Sequence, residues 1–106
     1  MALLLPSLLL ALLLALGLAL AAPGQAKQLW NVGTDPSYAP FGFTDGDSGK
    51  LRGFDIELIE AIAKRSGHRL QLTPLPFDGL IPALQVGNLD LAISAMTITA
   101  ERAETV

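Results

Sequence analysis

The chain has 106 residues, 51% of them hydrophobic and 16% charged, with a formal net charge of −3. Ten acidic residues against seven basic ones, with no Lys/Arg run, lack the electrostatic footprint of a nucleic-acid binder, and the absence of cysteine excludes disulfide scaffolds, thiolate zinc sites, cysteine nucleophiles and lipid-modified cysteine anchors. These averages cover two unlike parts: 20 of the first 26 residues are hydrophobic and none is charged, so all 17 charged residues fall in the 80 from Lys27 onward. That second part, roughly 43% apolar, has the composition of an ordinary soluble domain and excludes disorder, collagen-like sequence and a polytopic membrane protein. Eighty residues bury only about 60% of their unfolded surface, enough for one small domain or part of a larger one.

Residues 1–26 read as a signal peptide. Ala2 to Ala22 is a Leu/Ala run broken by Pro6, Ser7 and Gly17, and small residues at alternate positions offer cleavage after Ala21 or, as favoured here, after Ala26, just ahead of Lys27. The positive end of this signal is only the amine of Met1, and a run of this length could also be retained as a membrane anchor.

From Lys27 the first strand is expected over Gln28–Thr34, ended by the turn pair Asp35-Pro36. Phe41–Thr44 and Lys50–Gly53 flank Asp45-Gly46-Asp47-Ser48-Gly49, which predicts a hairpin. Between Asp55 and Ser66, Ile56, Ile59, Ile62 and Ala63 recur at helical spacing opposite Glu57, Glu60, Lys64 and Arg65, with Asp55 as N-cap and Gly67 closing the helix. Arg69–Thr73 is the second strand. A helix capped by Asp78 and ending at Gly87 follows, with Pro82 tolerated in or just beyond its first turn. Leu89–Ser94, with the dense run Leu91-Ala92-Ile93, predicts a buried third strand. Thr99 caps a last helix.

This βαβαβ order predicts an α/β fold with a parallel sheet and right-handed crossovers, and in such sheets ligands bind beyond the carboxyl ends of the strands. Strand one delivers Asp35 and Tyr38 there, strand two Phe77, and strand three Ser94, Ala95, Met96, Thr97 and, one turn on, Arg102. A guanidinium fork beside the Thr97 hydroxyl and free backbone N–H groups suits a carboxylate, and an apolar cleft walled by Tyr38 and Phe77 suits an aliphatic or cationic side chain. No nucleophile and base are paired among them. Gly46-Asp47-Ser48-Gly49 imitates a serine-protease signature but lies in a turn with no preceding histidine, and Asp45-x-Asp47 imitates a calcium loop without its later ligands. His68, the only histidine, is expected at the surface of a helix-to-strand junction. Neither a metal nor a cofactor is expected.

Val32–Phe41, Gly53–Leu58, Phe77–Leu84, Asp90–Ile93 and Thr97–Arg102 together resemble the amino-terminal part of the periplasmic polar amino-acid-binding proteins of ABC importers. The resemblance covers essentially all of Gln28 to Val106. It implies that residues 27–106 are an incomplete first lobe of a type II periplasmic-binding-protein fold, which closes on one free amino acid by hinge motion and presents it to an inner-membrane permease, acting as a monomer. Arg102 is then expected to clamp the ligand carboxylate with Thr97, Ser94 and Ala95 to line the cleft through main-chain groups, Tyr38 and Phe77 to sandwich the side chain, and Asp35 to face its polar or cationic end. The Asp35 and Tyr38 pair resembles members that bind basic amino acids or histidine. Members are about three times this length and supply the partner for the ligand ammonium from the second lobe, so the chain alone is expected to bind weakly or not at all and to be a fragment of a longer protein. Two other readings share this stretch: the sensor domain of a membrane receptor or histidine kinase, and a periplasmic dehydratase of the cyclohexadienyl type.

Overall fold

A computed structural model describes residues 4–21 and 27–106. The cleavage position expected after Ala26, like the Met1 amine, lies outside the described residues. Helix α1 runs over Leu4–Ala21, and its leucines from Leu8 to Leu14 are exposed. Among the described residues no helix is long and apolar enough to cross a membrane.

The remaining elements are β1 (Leu29–Thr34), β2 (Ser37–Tyr38), β3 (Gly42–Thr44), β4 (Leu51–Arg52), α2 (Phe54–Ser66), β5 (Arg69–Pro74), α3 (Phe77–Gln85), β6 (Leu91–Ala92) and α4 (Ala100–Thr105). The expected parallel sheet is present, in the order β5-β1-β6. Its register pairs Leu29 with Arg69 through Thr34 with Pro74 on one side of β1 and Val32 with Leu91 on the other. The central β1 carries the fully buried Val32. Gly33 of β1 has no side chain because there is no room for one: a Cβ there would collide with the Leu89 side chain and lie 2.9 Å from Leu80 Cδ2. Leu80 of α3 is itself fully buried, a contribution of about 1.5–3 kcal/mol from apolar burial.

The predicted hairpin forms as β3 against β4, and a strand that sequence reasoning passed over, β2, pairs with the outer side of β3. Asp45 organises the turn, accepting from Asp47 N at 3.1 Å, Ser48 Oγ at 3.0 Å and Arg52 Nη1 at 3.1 Å. Those bonds, the Asp47 N–H foremost, hold its carboxyl below the ordinary carboxylate value. Ser48, the serine of the protease-like signature, is thus a turn residue.

Four expectations are corrected. Asp55 is not an N-cap but the second residue of α2, and the cap position belongs to Gly53. The first amides of α2 donate to main-chain carbonyls instead, Phe54 N to Pro40 O at 3.0 Å and Asp55 N to Phe41 O at 2.8 Å. Gly53 makes that approach possible with φ 125. Asp78 likewise lies inside the first turn of α3, whose cap position is Pro76; the other end is as expected, with Gly87 (φ 79) following the cap residue Val86 and donating its N–H to Leu84 O at 3.1 Å. Of the apolar residues expected to face the core from α2, Ile56, Ile59 and Ala63 are buried but Ile62 is 41% exposed. The third strand is shorter than Leu89–Ser94, and Leu91 is exposed rather than buried because β6 is the sheet's edge. Main-chain bonds of Asp90 N to Asn31 O and Ile93 N to Gly33 O, both 2.9 Å, extend it by one residue each way.

Candidate functional site

At the carboxyl ends of β1 and β6 an open cleft of about 330 Å³ is lined by Asp35, Ser37, Tyr38, Phe77, Ser94, Ala95, Thr97 and Arg102, within the size range of small-molecule pockets. The structure therefore brings seven of the eight residues expected at the strand ends to one place and adds Ser37, while Met96 lines a neighbouring pocket with Ile98 and Val106 instead. The signal for Ser37 was available: a hydroxyl two residues after an aspartate is the pattern of an Asx turn.

Asp35 is the knot of this cleft. Its Oδ1 accepts from Ser37 N at 3.0 Å and Ser37 Oγ at 2.7 Å, its Oδ2 accepts from Phe77 N at 3.0 Å, and its own N–H donates to Ser94 Oγ at 3.0 Å. The carboxylate that caps α3 thus comes from the end of β1, where it also meets the positive end of the helix. The Ser37 hydroxyl does most to hold the Asp35 carboxyl below its ordinary value, aided by the Phe77 and Ser37 N–H groups and opposed by desolvation. Asp35 stays ionised, with most of its acceptor capacity used inside the protein. Ser94, 5% exposed, enters this network through its side chain, whereas main-chain lining was expected of it. Ala95 beside it has φ 50, a left-handed backbone that costs a non-glycine residue about 1–2 kcal/mol.

Arg102 is held at three points. Its N–H donates to Thr99 Oγ1 at 3.1 Å, the N-cap read from the sequence; its Nη1 donates to Thr97 O at 2.9 Å; and its guanidinium carbon lies 5.5 Å from the centre of the Phe77 ring. Among the described residues Arg52 with Asp45 is the one ion pair, so the Arg102 charge faces the cleft without a carboxylate. Tyr38, 54% exposed, also lines the cleft, its ring 5.1 Å from that of Phe41.

His68 is not on the open surface as expected. It is half-buried and stacked on Trp30 at 3.9 Å and 13°, with Nδ1 buried and unbonded, because the start of β5 lies beside β1. It does not line this cleft. Among the described residues no group of three or more His, Asp or Glu could hold a metal ion.

The sequence profile of the bacterial extracellular solute-binding proteins, family 3, matches residues 30–106. The chain is 52% identical over 75 residues to the probable histidine-binding protein of Campylobacter jejuni, covering 71% of this chain and 28% of that one. Its fold superposes with a TM-score of 0.72 on an ancestral arginine-binding protein bound to arginine, at 50% identity over 76% of this chain and 35% of the other. It also superposes with a TM-score of 0.68 on the arginine-bound form of domain 1 from TmArgBP, at 42% identity over 72% of this chain and 60% of that one. The chain thus spans about a third of the full-length relatives it matches, and all three are binding proteins. Profile, identity and fold agree with the resemblance read from the sequence: the chain belongs to the bacterial extracellular solute-binding proteins of family 3.

Proposed function

We propose that the chain is the amino-terminal part of an exported binding protein that captures a polar amino acid, basic ones being the favoured class, for an ABC importer. Residues 1–26 are its export signal, residues 27–106 belong to its first lobe, and its partners are the free amino acid and an inner-membrane permease, which it meets as a monomer. The observation that carries this reading is Arg102: a guanidinium in an open cleft, without a carboxylate partner among the described residues, with donors left after its bond to Thr97 O. Such a fork takes a carboxylate in bidentate fashion.

On this reading Arg102 and Thr97 receive the α-carboxylate, Tyr38 and Phe77 are the aromatic walls, Ser94 and Ala95 form the floor, and the ionised Asp35 places negative charge at the rim where a cationic side chain ends. The arginine and histidine ligands of the matched relatives support the basic class. The arginine-bound domain 1 of TmArgBP favours measurable binding by one lobe over the weak or absent binding that the sequence suggests.

Isothermal titration of the chain with L-arginine, L-histidine and L-glutamine tests the proposal, with Arg102→Met as the variant. Each charge-assisted bond contributes about 1.5–3 kcal/mol, so losing a bidentate pair weakens binding roughly a hundredfold or more. No heat with any of the three, or an Arg102→Met variant that binds as the parent does, overturns it.

A further inference from the structure

The two aromatic walls of the cleft are not equivalent. Phe77 is the first residue of α3, half-buried, with its N–H bonded to Asp35 Oδ2 at 3.0 Å; Tyr38 is mostly exposed and touches Phe41. The Arg102 guanidinium lies 5.5 Å from the Phe77 ring centre, inside the range of about 6 Å at which a cation is drawn to an aromatic face. Of the five N–H groups on that guanidinium, one at Nη1 is tied, to Thr97 O. One hydrogen bond leaves a planar fork free to rotate about it, and the ring supplies the second constraint.

We propose that Phe77 acts on the ligand through Arg102: it is the positioning residue that orients the guanidinium for the α-carboxylate, while Tyr38 carries side-chain discrimination. The inference rests on the reading that Arg102 receives a carboxylate. It separates two roles that a simple aromatic sandwich merges. A wall that grips side chains discriminates among ligands, whereas a shelf under the carboxylate clamp strengthens all of them by one common factor, because every amino acid presents the same carboxylate.

The experiment is isothermal titration of the chain with L-arginine, L-lysine and L-glutamine, in the parent and in Phe77→Leu, Phe77→Tyr and Tyr38→Leu. Removing a cation–π contact at a half-exposed site raises Kd about two- to fivefold. The expected pattern is that factor for all three ligands in Phe77→Leu, recovery to within about twofold of the parent in Phe77→Tyr, and ligand-dependent losses in Tyr38→Leu. A folding defect would also raise Kd by one common factor, by lowering the folded fraction, so circular dichroism must show each variant as fully folded as the parent at the titration temperature before its Kd is read; if Phe77→Leu does not fold, Phe77→Met takes its place. Losses in Phe77→Leu that differ among the ligands, or no loss, overturn the positioning role while leaving the carboxylate reading intact. A parent that binds none of the three overturns both.

Discussion

Replacing Gly53 by alanine places a methyl group where the chain already touches itself. The new Cβ would meet Phe41 O and lie 2.8 Å from Pro40 O, both main-chain atoms, the same carbonyls that accept the first amides of α2. Neither can move aside without breaking those bonds. Alanine at φ 125 occupies a backbone region that costs of order 1–3 kcal/mol, and the overlap adds about 1–3 kcal/mol of overpacking. The sum, about 2–6 kcal/mol, is a large share of the roughly 4–12 kcal/mol expected for an 80-residue unit. At about 4–8 °C per kcal/mol for this size, Gly53→Ala lowers Tm by about 10 °C or more in thermal unfolding followed by far-ultraviolet circular dichroism. Gly79→Ala is the control: a Cβ there meets nothing within 4 Å, the residue lies within α3, and alanine is expected to stabilise by about 0.5–1 kcal/mol. A Gly53→Ala chain that melts within about 2 °C of the parent refutes the reasoning, since that gap is far below the strain just summed.

Leu80→Ala is expected to cost about 2–5 kcal/mol by leaving a cavity against Gly33, measured by urea denaturation. Acid should destabilise the protein through Asp35 and Asp45: both carboxyls are held low in the folded state, so their stabilisation is complete above the ordinary value near 3.9 and is lost as pH falls through the lower folded value. Calorimetry between about pH 5 and pH 2.5 should show a shallower fall of Tm for Asp35→Asn than for the parent, and parallel curves would sink this account. Thr99→Ala removes the acceptor for the Arg102 N–H and is expected to destabilise the first turn of α4 by about 1 kcal/mol, read as faster amide exchange at Arg102.

What the sequence discloses follows from how local each cause is. Helix α2 was legible because Ile56, Ile59 and Ala63 repeat at the period of a helix, and β1, β5 and the hairpin because turn residues bound them. The two-residue strand β2 has no period of its own and exists only because β3 lies beside it. The caps misled for the same reason: Asp55 and Asp78 stand where a local cap belongs, but the groups that serve those helices are the Pro40 and Phe41 carbonyls and the Asp35 carboxylate, all distant in sequence. The cleft residues were found from a topological rule, that ligands sit beyond the ends of parallel strands. That rule locates Asp35, Phe77 and Arg102 but says nothing of how they engage one another, so the seating of Arg102 over Phe77 emerged only in three dimensions.

The knot at Asp35 also sets when the cleft can exist. Its partners Phe77 and Ser94 lie 42 and 59 residues away, so the bonds that shape the rim close only after β5 and β6 have docked on β1. Loop closure of that span precedes any gain from the contacts it allows. A nascent or partly unfolded chain therefore presents no half-made version of the cleft that could hold a ligand in passing. A ligand that binds only the finished rim shifts the folding equilibrium toward the native state by mass action, so the concentration of free ligand would help decide how much of the chain stays folded.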